Sequence, residues 1–266
     1  MTTVAIWLSK QNQSPSAMNI ASDSRLSFGQ HGTWDSGRKI FACQNTADVF
    51  GYAGDSTLGT SLLSQIASTV DYTNLRRMTA TQKRQVCEKI MESASQGYFR
   101  HLHLDLKILH CFYDEEHGFV AWHSEFDSST TIWTHVRLKL VDRLESDTAL
   151  EIGAFGSGGK SFEERLWSRT GSPNGVRYSN TFFKALADVI DENDDPFSGG
   201  PIQMVSLGTR GVAKPAIFLR GQDHFLFGVK VDPSILMKDL ECWNELGEFV
   251  DPVSGKLRSR ATRRPG

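Results

Sequence analysis

The sequence lacks the features that mark membrane, secreted and nucleic-acid-binding proteins. It contains no apolar run of 18 residues, so it predicts no membrane-spanning helix. Its N-terminus has neither a basic segment nor an apolar stretch behind it, so it predicts no secretory signal. The formal net charge is −2, which does not favour nucleic-acid binding. We therefore expect a cytoplasmic protein with no membrane and no nucleic-acid partner.

Cysteine is scarce as well. None of the 4 cysteines belongs to a Cys-x-x-Cys pair, so their spacing suggests no metal site. Without a secretory signal we expect reduced and mostly buried thiols, and disulfide pairing is the alternative for a secreted chain. The positions concerned are Cys43, Cys87, Cys111 and Cys242.

What is present is typical of a globular protein of mixed secondary structure. The 266 residues are 39% hydrophobic and 23% charged, enough for a substantial core within one domain, and no internal repeat is visible. Apolar residues alternate in some segments and recur every three or four residues in others, which predicts both strands and helices. Their order is strands, helices, strands, helices, strands, which fits two sheets packed together with helices outside.

The same periodicity assigns the individual segments. Predicted strands cover residues 4–8, 18–21, 39–42, 49–53, 106–113, 119–122, 131–136, 150–155, 202–207, 216–219 and 225–228. Predicted helices cover residues 55–70, a segment capped by Thr79 or Thr81, and residues 161–167, 178–190 and 235–246.

Thr2 directly follows the initiator methionine. Aminopeptidases generally remove methionine before a small residue, so Thr2 is expected to become the mature N-terminus. Its α-amino group would have a pKa of about 7.7–8.0, so roughly a tenth of it would be unprotonated at neutral pH. A hydroxyl and a free amine on one residue supply a nucleophile together with its base. Removal of one more residue would give Thr3 the same role.

Three charged residues lie close enough in the sequence to support such a site. A cation near the amine disfavours the protonated amine, and a carboxylate is needed to hold that cation. Lys39 opens an apolar run, and Asp23 and Arg25 are two residues apart, so on a strand they would project from one face. We expect Thr2 and Lys39 to lie at a cleft rather than in the core. Alone, Asp23 and Arg25 would more often form a surface ion pair, and Lys39 alone would more often be solvated.

Five sequence motifs, in order from residue 2 to residue 200, resemble those of proteasome β-subunits and of their bacterial ring-peptidase, or Anbu-type, relatives. The spacing from Asp23 to Lys39 is that of the family, whereas residues 11–15 lengthen the spacing from Thr2 to Asp23 by about five residues. The match is much weaker over residues 72–105 and beyond about 230. The motifs are Thr2-Thr3-Val4, Ala21-Ser22-Asp23-Ser24-Arg25 with Arg38-Lys39-Ile40-Phe41, Ala53-Gly54-Asp55, Gly156-Ser157-Gly158 and Asp195-Pro196-Phe197-Ser198-Gly199-Gly200.

The resemblance implies an α+β fold, the four-layer αββα sandwich of N-terminal-nucleophile (Ntn) hydrolases. It covers residues 1–230 and leaves residues 231–266 as a C-terminal extension. The extension ends in a basic tail, predicted to be flexible, that contains Lys256, Arg258, Arg260, Arg263 and Arg264.

The resemblance also implies a function: a threonine endopeptidase that needs neither a metal nor an organic cofactor. Its substrate would be a peptide or an unfolded protein, and its subunits would form a homo-oligomeric ring around a chamber, with an unfoldase or activator as a further partner. The implied roles are nucleophile for Thr2, catalytic support for Asp23 and Lys39, structural support for Arg25, oxyanion-hole amide for Gly54, and contact with the terminal amine for Ser157, Asp195 and Ser198.

Several alternatives use the same residues differently. The chain could be a catalytically silent scaffold subunit of this fold, although silent subunits typically lose the threonine or the lysine, or it could be a small-molecule amidase. Residues 154–161 resemble a phosphate-binding loop, except that its first glycine falls on Ala154. His101, His103 and Asp105 alternate and could bind zinc, but no fourth ligand is indicated. The two glycine-serine motifs alone would be ordinary turns.

Overall fold

The computed structural model describes residues 2–11, 14–73, 75, 78–98, 105–140, 149–171, 177–209, 213–237 and 239–258. Within these residues the strands are β1 Val4–Gln11, β2 Ser14–Ser22, β3 Leu26–Ser27, β4 Thr33–Trp34, β5 Ile40–Ala42, β6 Asp48–Gly54, β7 Leu106–Asp114, β8 Gly118–Asp127, β9 Ile132–Arg137, β10 Leu150–Phe155, β11 Gln203–Gly208, β12 Lys214–Arg220, β13 Asp223–Leu226, β14 Val229–Val231 and β15 Glu241–Asn244. The α-helices are α1 Ser56–Tyr72, α2 Ala80–Ser95, α3 Gly159–Thr170 and α4 Ser179–Asp191.

The strands form two large sheets and one short hairpin. The larger sheet has the order β10-β1-β2-β11-β12-β13-β14, and β15 pairs with β12 as its eighth strand. All its pairs are antiparallel except that between β12 and β15. The smaller sheet, β5-β6-β7-β8-β9, is antiparallel throughout, and β3 pairs with β4. The fold is therefore α+β with predominantly antiparallel sheets.

Side chains of β1 alternate between two hydrophobic clusters, as a two-residue period requires. Ala5 and Trp7 join a cluster with residues of α3 and α4, and the Trp7 ring stacks on Phe182 at 5.4 Å. Val4 and Ile6 join a cluster that also contains residues of the smaller sheet. A third cluster combines residues of α1, α2 and the smaller sheet. β1 thus lies between two hydrophobic cores, and packing on both sides restricts the positions of its first residues.

Helices α1 and α2 begin at polar side chains that accept hydrogen bonds from the first backbone N–H groups. Asp55 caps α1 by accepting from the N–H groups of Thr57 and Leu58. Thr79 and Gln82 form a capping box at the start of α2. This result decides between the two predicted caps in favour of Thr79. Among the described residues, none of the helices has the length and hydrophobicity that crossing a bilayer demands.

The predicted α+β architecture and most of its segments are confirmed, but the helix predicted over residues 235–246 is wrong. Pro233–Ile235 forms a short 3-10 turn, and Glu241–Asn244 forms the strand β15. The reason is tertiary, because β15 gains a parallel strand partner in β12 and buries Cys242 and Trp243. The side chain of Asn244 then accepts from the N–H groups of Leu246 and Glu248, which shapes a turn.

The basic tail is described only in part. Lys256 is exposed, whereas Arg258 forms an ion pair with Asp251 at 2.5 Å. Arg260, Arg263 and Arg264 lie outside the described residues.

Candidate active site

A buried ion pair joins Asp23 and Lys39. Lys39 Nζ lies 2.9 Å from each carboxylate oxygen of Asp23, and neither side chain is exposed to solvent. Asp23 follows the last residue of β2, and Lys39 precedes the first residue of β5. Burying two charges costs solvation free energy, so such a pair is stable only when further hydrogen bonds satisfy it.

Three backbone N–H groups supply those hydrogen bonds to Asp23. The N–H of Thr3 donates to Oδ1, and the N–H groups of Arg25 and Gly199 donate to Oδ2, each at 3.0 Å. These donors come from three separate segments of the chain. The carboxylate of Asp23 therefore holds the start of β1, its own loop and the segment around Gly199 in one arrangement.

Lys39 is positioned by its backbone as well as by its charge. Burial lowers the pKa of Lys39, and the neighbouring charge of Asp23 opposes this shift only in part. The Lys39 N–H donates to Oε1 of Gln203 at 3.0 Å, while Gln203 Nε2 donates to the carbonyl of Gly37 at 2.6 Å and to Oγ of Ser24 at 2.8 Å. Through these hydrogen bonds, Gln203 connects the segment that contains Asp23 to the segment that contains Lys39.

A second group of polar side chains surrounds Asp195. Ser157 and Ser198 both donate to its Oδ2 atom, at 2.6 Å and 2.7 Å. The Oγ of Ser198 also lies 2.7 Å from Oγ1 of Thr3. Because Thr3 contacts Asp23 as well, the Asp23–Lys39 pair and the Asp195 group meet at the start of β1, next to Thr2.

The loop between β10 and α3 lies against Thr2. A Cβ atom on Gly156 would be 1.8 Å from the carbonyl oxygen of Thr2 and 3.2 Å from Cβ of Ala53, and the φ of Gly156 is +94°. Both the close approach and the positive φ require glycine here. Gly54 follows Ala53 at the end of β6, where its own φ is +112° and an added Cβ would be 2.1 Å from the Asp105 carbonyl oxygen.

The structure corrects two expectations about this region. Thr2 is 1% exposed and Lys39 is not exposed at all, so they do not lie at a cleft as predicted. The loop that contains Gly156 packs on Thr2, and the buried Asp23 carboxylate holds Lys39 in the interior. Asp23 and Arg25 do not share a strand face either, since β2 ends at Ser22. Arg25 instead makes a two-bond ion pair with Asp35, at 2.7 Å and 2.9 Å, which raises the pKa of Arg25 and lowers that of Asp35.

Arg25 also connects the site to the segment that carries Asp195 and Ser198. Its guanidinium donates to the carbonyl of Pro196 at 3.2 Å. A Cβ on Gly199 would lie 2.3 Å from the guanidinium carbon, so glycine leaves room for the arginine. Arg25 therefore supports the site from outside the Asp23–Lys39 pair.

The two alternative sites gain no support. The loop that resembles a phosphate-binding loop packs on Thr2, and Ser157 points its hydroxyl at the carboxylate of Asp195, which would repel a phosphate. The zinc alternative depends on His101 and His103, which lie outside the described residues. Within the described part of the chain, no group of three or more His, Cys, Asp or Glu side chains could hold a metal ion.

Sequence reasoning missed Gln203, Asp35 and the double contact of Thr3. Gln203 carried a usable signal, because it is a single polar residue in the apolar run Ile202-Gln203-Met204-Val205, and a buried amide needs hydrogen-bond partners. No such signal existed in the sequence for Asp35 or for the double contact of Thr3, since surface ion pairs are common and so are threonines near strands.

The geometry combines a buried, hydrogen-bonded lysine with a serine–aspartate network at one chain segment. Such an arrangement can lower the proton affinity of a nearby amine and can transfer protons. Comparison of the chain with models of known protein families finds no match, and comparison with curated proteins finds none either.

Proposed function

We propose that this chain is a threonine peptidase of the N-terminal-nucleophile class, similar to proteasome β-subunits. The observation that carries the proposal is the convergence of the Asp23–Lys39 pair and the Asp195 group on Thr3, the residue next to Thr2. The intact motif set, from Thr2 to Ser198, argues for a catalytic rather than a silent subunit.

The layering of the hydrophobic clusters supports the same proposal. One cluster joins α3 and α4 to the larger sheet, one joins the two sheets, and one joins the smaller sheet to α1 and α2. We infer from this order a four-layer αββα sandwich of the Ntn-hydrolase type.

The proposed reaction begins with cleavage of the peptide bond before Thr2, because the Thr2 nitrogen is otherwise an amide that cannot act as a base. Thr2 Oγ1 then attacks a substrate carbonyl carbon, and its proton passes to the Thr2 amine directly or through a water molecule. The carbonyl π bond becomes an oxyanion, which the Gly54 N–H stabilises. Collapse expels the substrate amine with that proton and leaves an acyl ester on Thr2, which water hydrolyses.

Lys39 and Asp23 support this chemistry electrostatically. The positive charge of Lys39 disfavours a second positive charge on the Thr2 amine, so more of the amine is available as a base at neutral pH. Asp23 keeps Lys39 in place through two 2.9 Å contacts. The Thr2 amine is surrounded by side chains that can relay protons, those of Ser157, Asp195 and Ser198. No metal or organic cofactor takes part.

We further propose that the active form is a cytoplasmic homo-oligomeric ring that degrades peptides or unfolded proteins, with an unfoldase or activator as partner. An N-terminal threonine nucleophile would endanger other proteins unless access to it were restricted. A small-molecule amidase is the second candidate, because the near-complete burial of Thr2, at 1% exposure, suits a small substrate as well as a gated chamber.

N-terminal sequencing of the purified protein, combined with fluorogenic peptide assays, tests the proposal. We expect Thr2 at the mature terminus, hydrolysis by the wild type, and loss of hydrolysis in Thr2→Ala with an unchanged thermal melting curve. Thr46→Ala serves as the control, because Thr46 is a buried threonine, 6% exposed, that belongs to no part of the site. Wild-type turnover by Thr2→Ala, or active protein that retains Met1, would contradict the proposal.

A further inference from the structure

Thr3 contacts both parts of the candidate site through two different atoms. Its backbone N–H donates to Oδ1 of Asp23 at 3.0 Å, and its Oγ1 lies 2.7 Å from Oγ of Ser198. Thr3 itself has no exposed surface. Its contacts therefore link Asp23, which pairs with Lys39, to the segment that contains Asp195 and Ser198.

The direction of the hydrogen bond between Thr3 and Ser198 follows from their protons. Ser198 Oγ donates its single proton to Oδ2 of Asp195 at 2.7 Å. A carboxylate has no proton to return, so Ser198 must accept from Thr3, and Thr3 is the donor. The hydroxyl of Thr3 thus begins a chain of donors that ends on the carboxylate of Asp195.

Gly158 keeps open the space in which these oxygens meet. A Cβ on Gly158 would lie 1.9 Å from Oγ1 of Thr3, 3.0 Å from Oγ of Ser198 and 3.1 Å from Oδ2 of Asp195. Its φ of −88° suits any residue, so the requirement for glycine is one of space and not of backbone conformation. The absence of a side chain at residue 158 is thus a second, independent indication that the Thr3 hydroxyl has a fixed place.

We propose that Thr3 is a positioning residue that sets the proton affinity of the neighbouring Thr2 amine through Ser198 and Asp195. This inference rests on the proposed function, because the positioned group is the Thr2 nucleophile. A donor to Ser198 polarises its hydroxyl and strengthens the hydrogen bond that Ser198 gives to Asp195. Without that donor, Asp195 keeps more negative charge, which favours the protonated amine and lowers the fraction of the amine that can act as a base.

Thr3→Val, Thr3→Ser and Ser22→Ala test the inference. Valine has the shape of threonine and keeps the backbone N–H to Asp23, so Thr3→Val removes the hydroxyl alone. Ser22 is the matched control, because it is fully buried on β2 and its hydroxyl has no hydrogen-bond partner among the described residues. All variants are compared with the wild type after N-terminal sequencing and thermal melting.

We expect Thr3→Val to lower kcat by about 3- to 10-fold at neutral pH, the effect of one lost hydrogen bond, with KM unchanged. The midpoint of the acidic limb of kcat/KM should move to higher pH. Thr3→Ser should restore both values, and Ser22→Ala should change neither. An unchanged kcat and midpoint in folded Thr3→Val would overturn the inference, and so would a change in KM alone.

Failure of the proposed function can be told apart from failure of this inference. If wild-type protein with Thr2 at its terminus hydrolyses no peptide, the proposed function is wrong, and the inference is then decided by the pH dependence of Thr2 amine labelling with an amine-reactive reagent. A higher amine pKa in Thr3→Val than in the wild type would support it, and equal values would overturn it. Should Thr3→Val fail to fold, Gly158→Ala, which crowds the Thr3 hydroxyl, is assessed by the same measurements.

Discussion

His110 Nε2 lies 2.8 Å from Oδ1 of Asp48, and both side chains are completely buried between β6, β7 and α2. Lys83 Nζ contacts the other carboxylate oxygen of Asp48 at 3.0 Å, and the ring of Phe50 stacks on His110. The chain therefore contains a second buried lysine–aspartate pair, in a core on the opposite side of the smaller sheet from β1.

This second cluster predicts a loss of stability at acid pH. Burial lowers the pKa of His110, and although burial alone would raise that of Asp48, the contacts with His110 and Lys83 hold it below its ordinary value. A lowered pKa means that the unfolded chain binds protons more readily than the folded one. Stability should therefore fall as the pH drops below about 6.5 for the histidine and further below about 3.9 for the aspartate.

Urea unfolding of the wild type and of His110→Gln at pH 7.5 and pH 5.5 measures this effect. The wild type should lose up to about 1 kcal/mol more than the variant over this interval. His117→Gln is the control, since the His117 side chain is 41% exposed. An equal pH dependence for the wild type and His110→Gln would contradict the prediction.

Lys39→Met and Lys83→Met should differ in activity although both break a buried lysine–aspartate pair. Each variant leaves a buried carboxylate without its lysine, so each should lose about 3–5 kcal/mol of unfolding free energy. Per folded molecule, however, peptide hydrolysis should fall at least about 100-fold in Lys39→Met only, because only Lys39 is bonded to the site that contains Thr3. Equal specific activities, normalised to the folded fraction from urea curves, would remove Lys39 from the mechanism.

The four thiols should be unreactive until the protein unfolds. All four cysteines are free and buried, and burial raises the pKa of Cys87, of Cys111 and of Cys242 to about 12. Hardly any thiolate therefore exists at pH 8. Ellman's reagent should react very slowly with native protein and with four thiols per chain in guanidinium chloride. Rapid reaction of a native thiol would show that its core opens readily.

Size-exclusion chromatography coupled to light scattering should find twelve or more subunits, or an open helical ring. Ile132 and Val136 on the edge strand β9 are 58% and 56% exposed, and apolar side chains on a sheet edge favour association. Ile132→Lys with Val136→Lys should shift the assembly to smaller species, whereas lysine at exposed Thr134 should have less effect. A strict 29.7 kDa monomer would favour the small-molecule amidase instead.

The sequence predicted what short-range patterns encode, and it failed where distant segments decide. The two-residue alternation of β1 and the three- and four-residue spacing in α1 are local, so their positions were predictable. β15 was not, because Glu241–Asn244 becomes a strand only by pairing with β12. In the same way, the motifs drew attention to Asp23, Lys39 and Asp195, but the double contact of Thr3 and the connection made by Gln203 depend on how three chain segments meet.

The placement of β1 between β2 and β10 restricts when Thr2 can be reached. β10 begins at Leu150, and β11, which covers the other side of β2, begins at Gln203. While the ribosome is still making these strands, the first residues of the chain have no complete sheet to join. Once the strands pair, only 1% of the Thr2 surface is accessible in the chain that still carries Met1. If Thr2 is the nucleophile, as proposed, an enzyme that cleaves before Thr2 has its best opportunity during synthesis, and protein that folds unprocessed should show no hydrolysis.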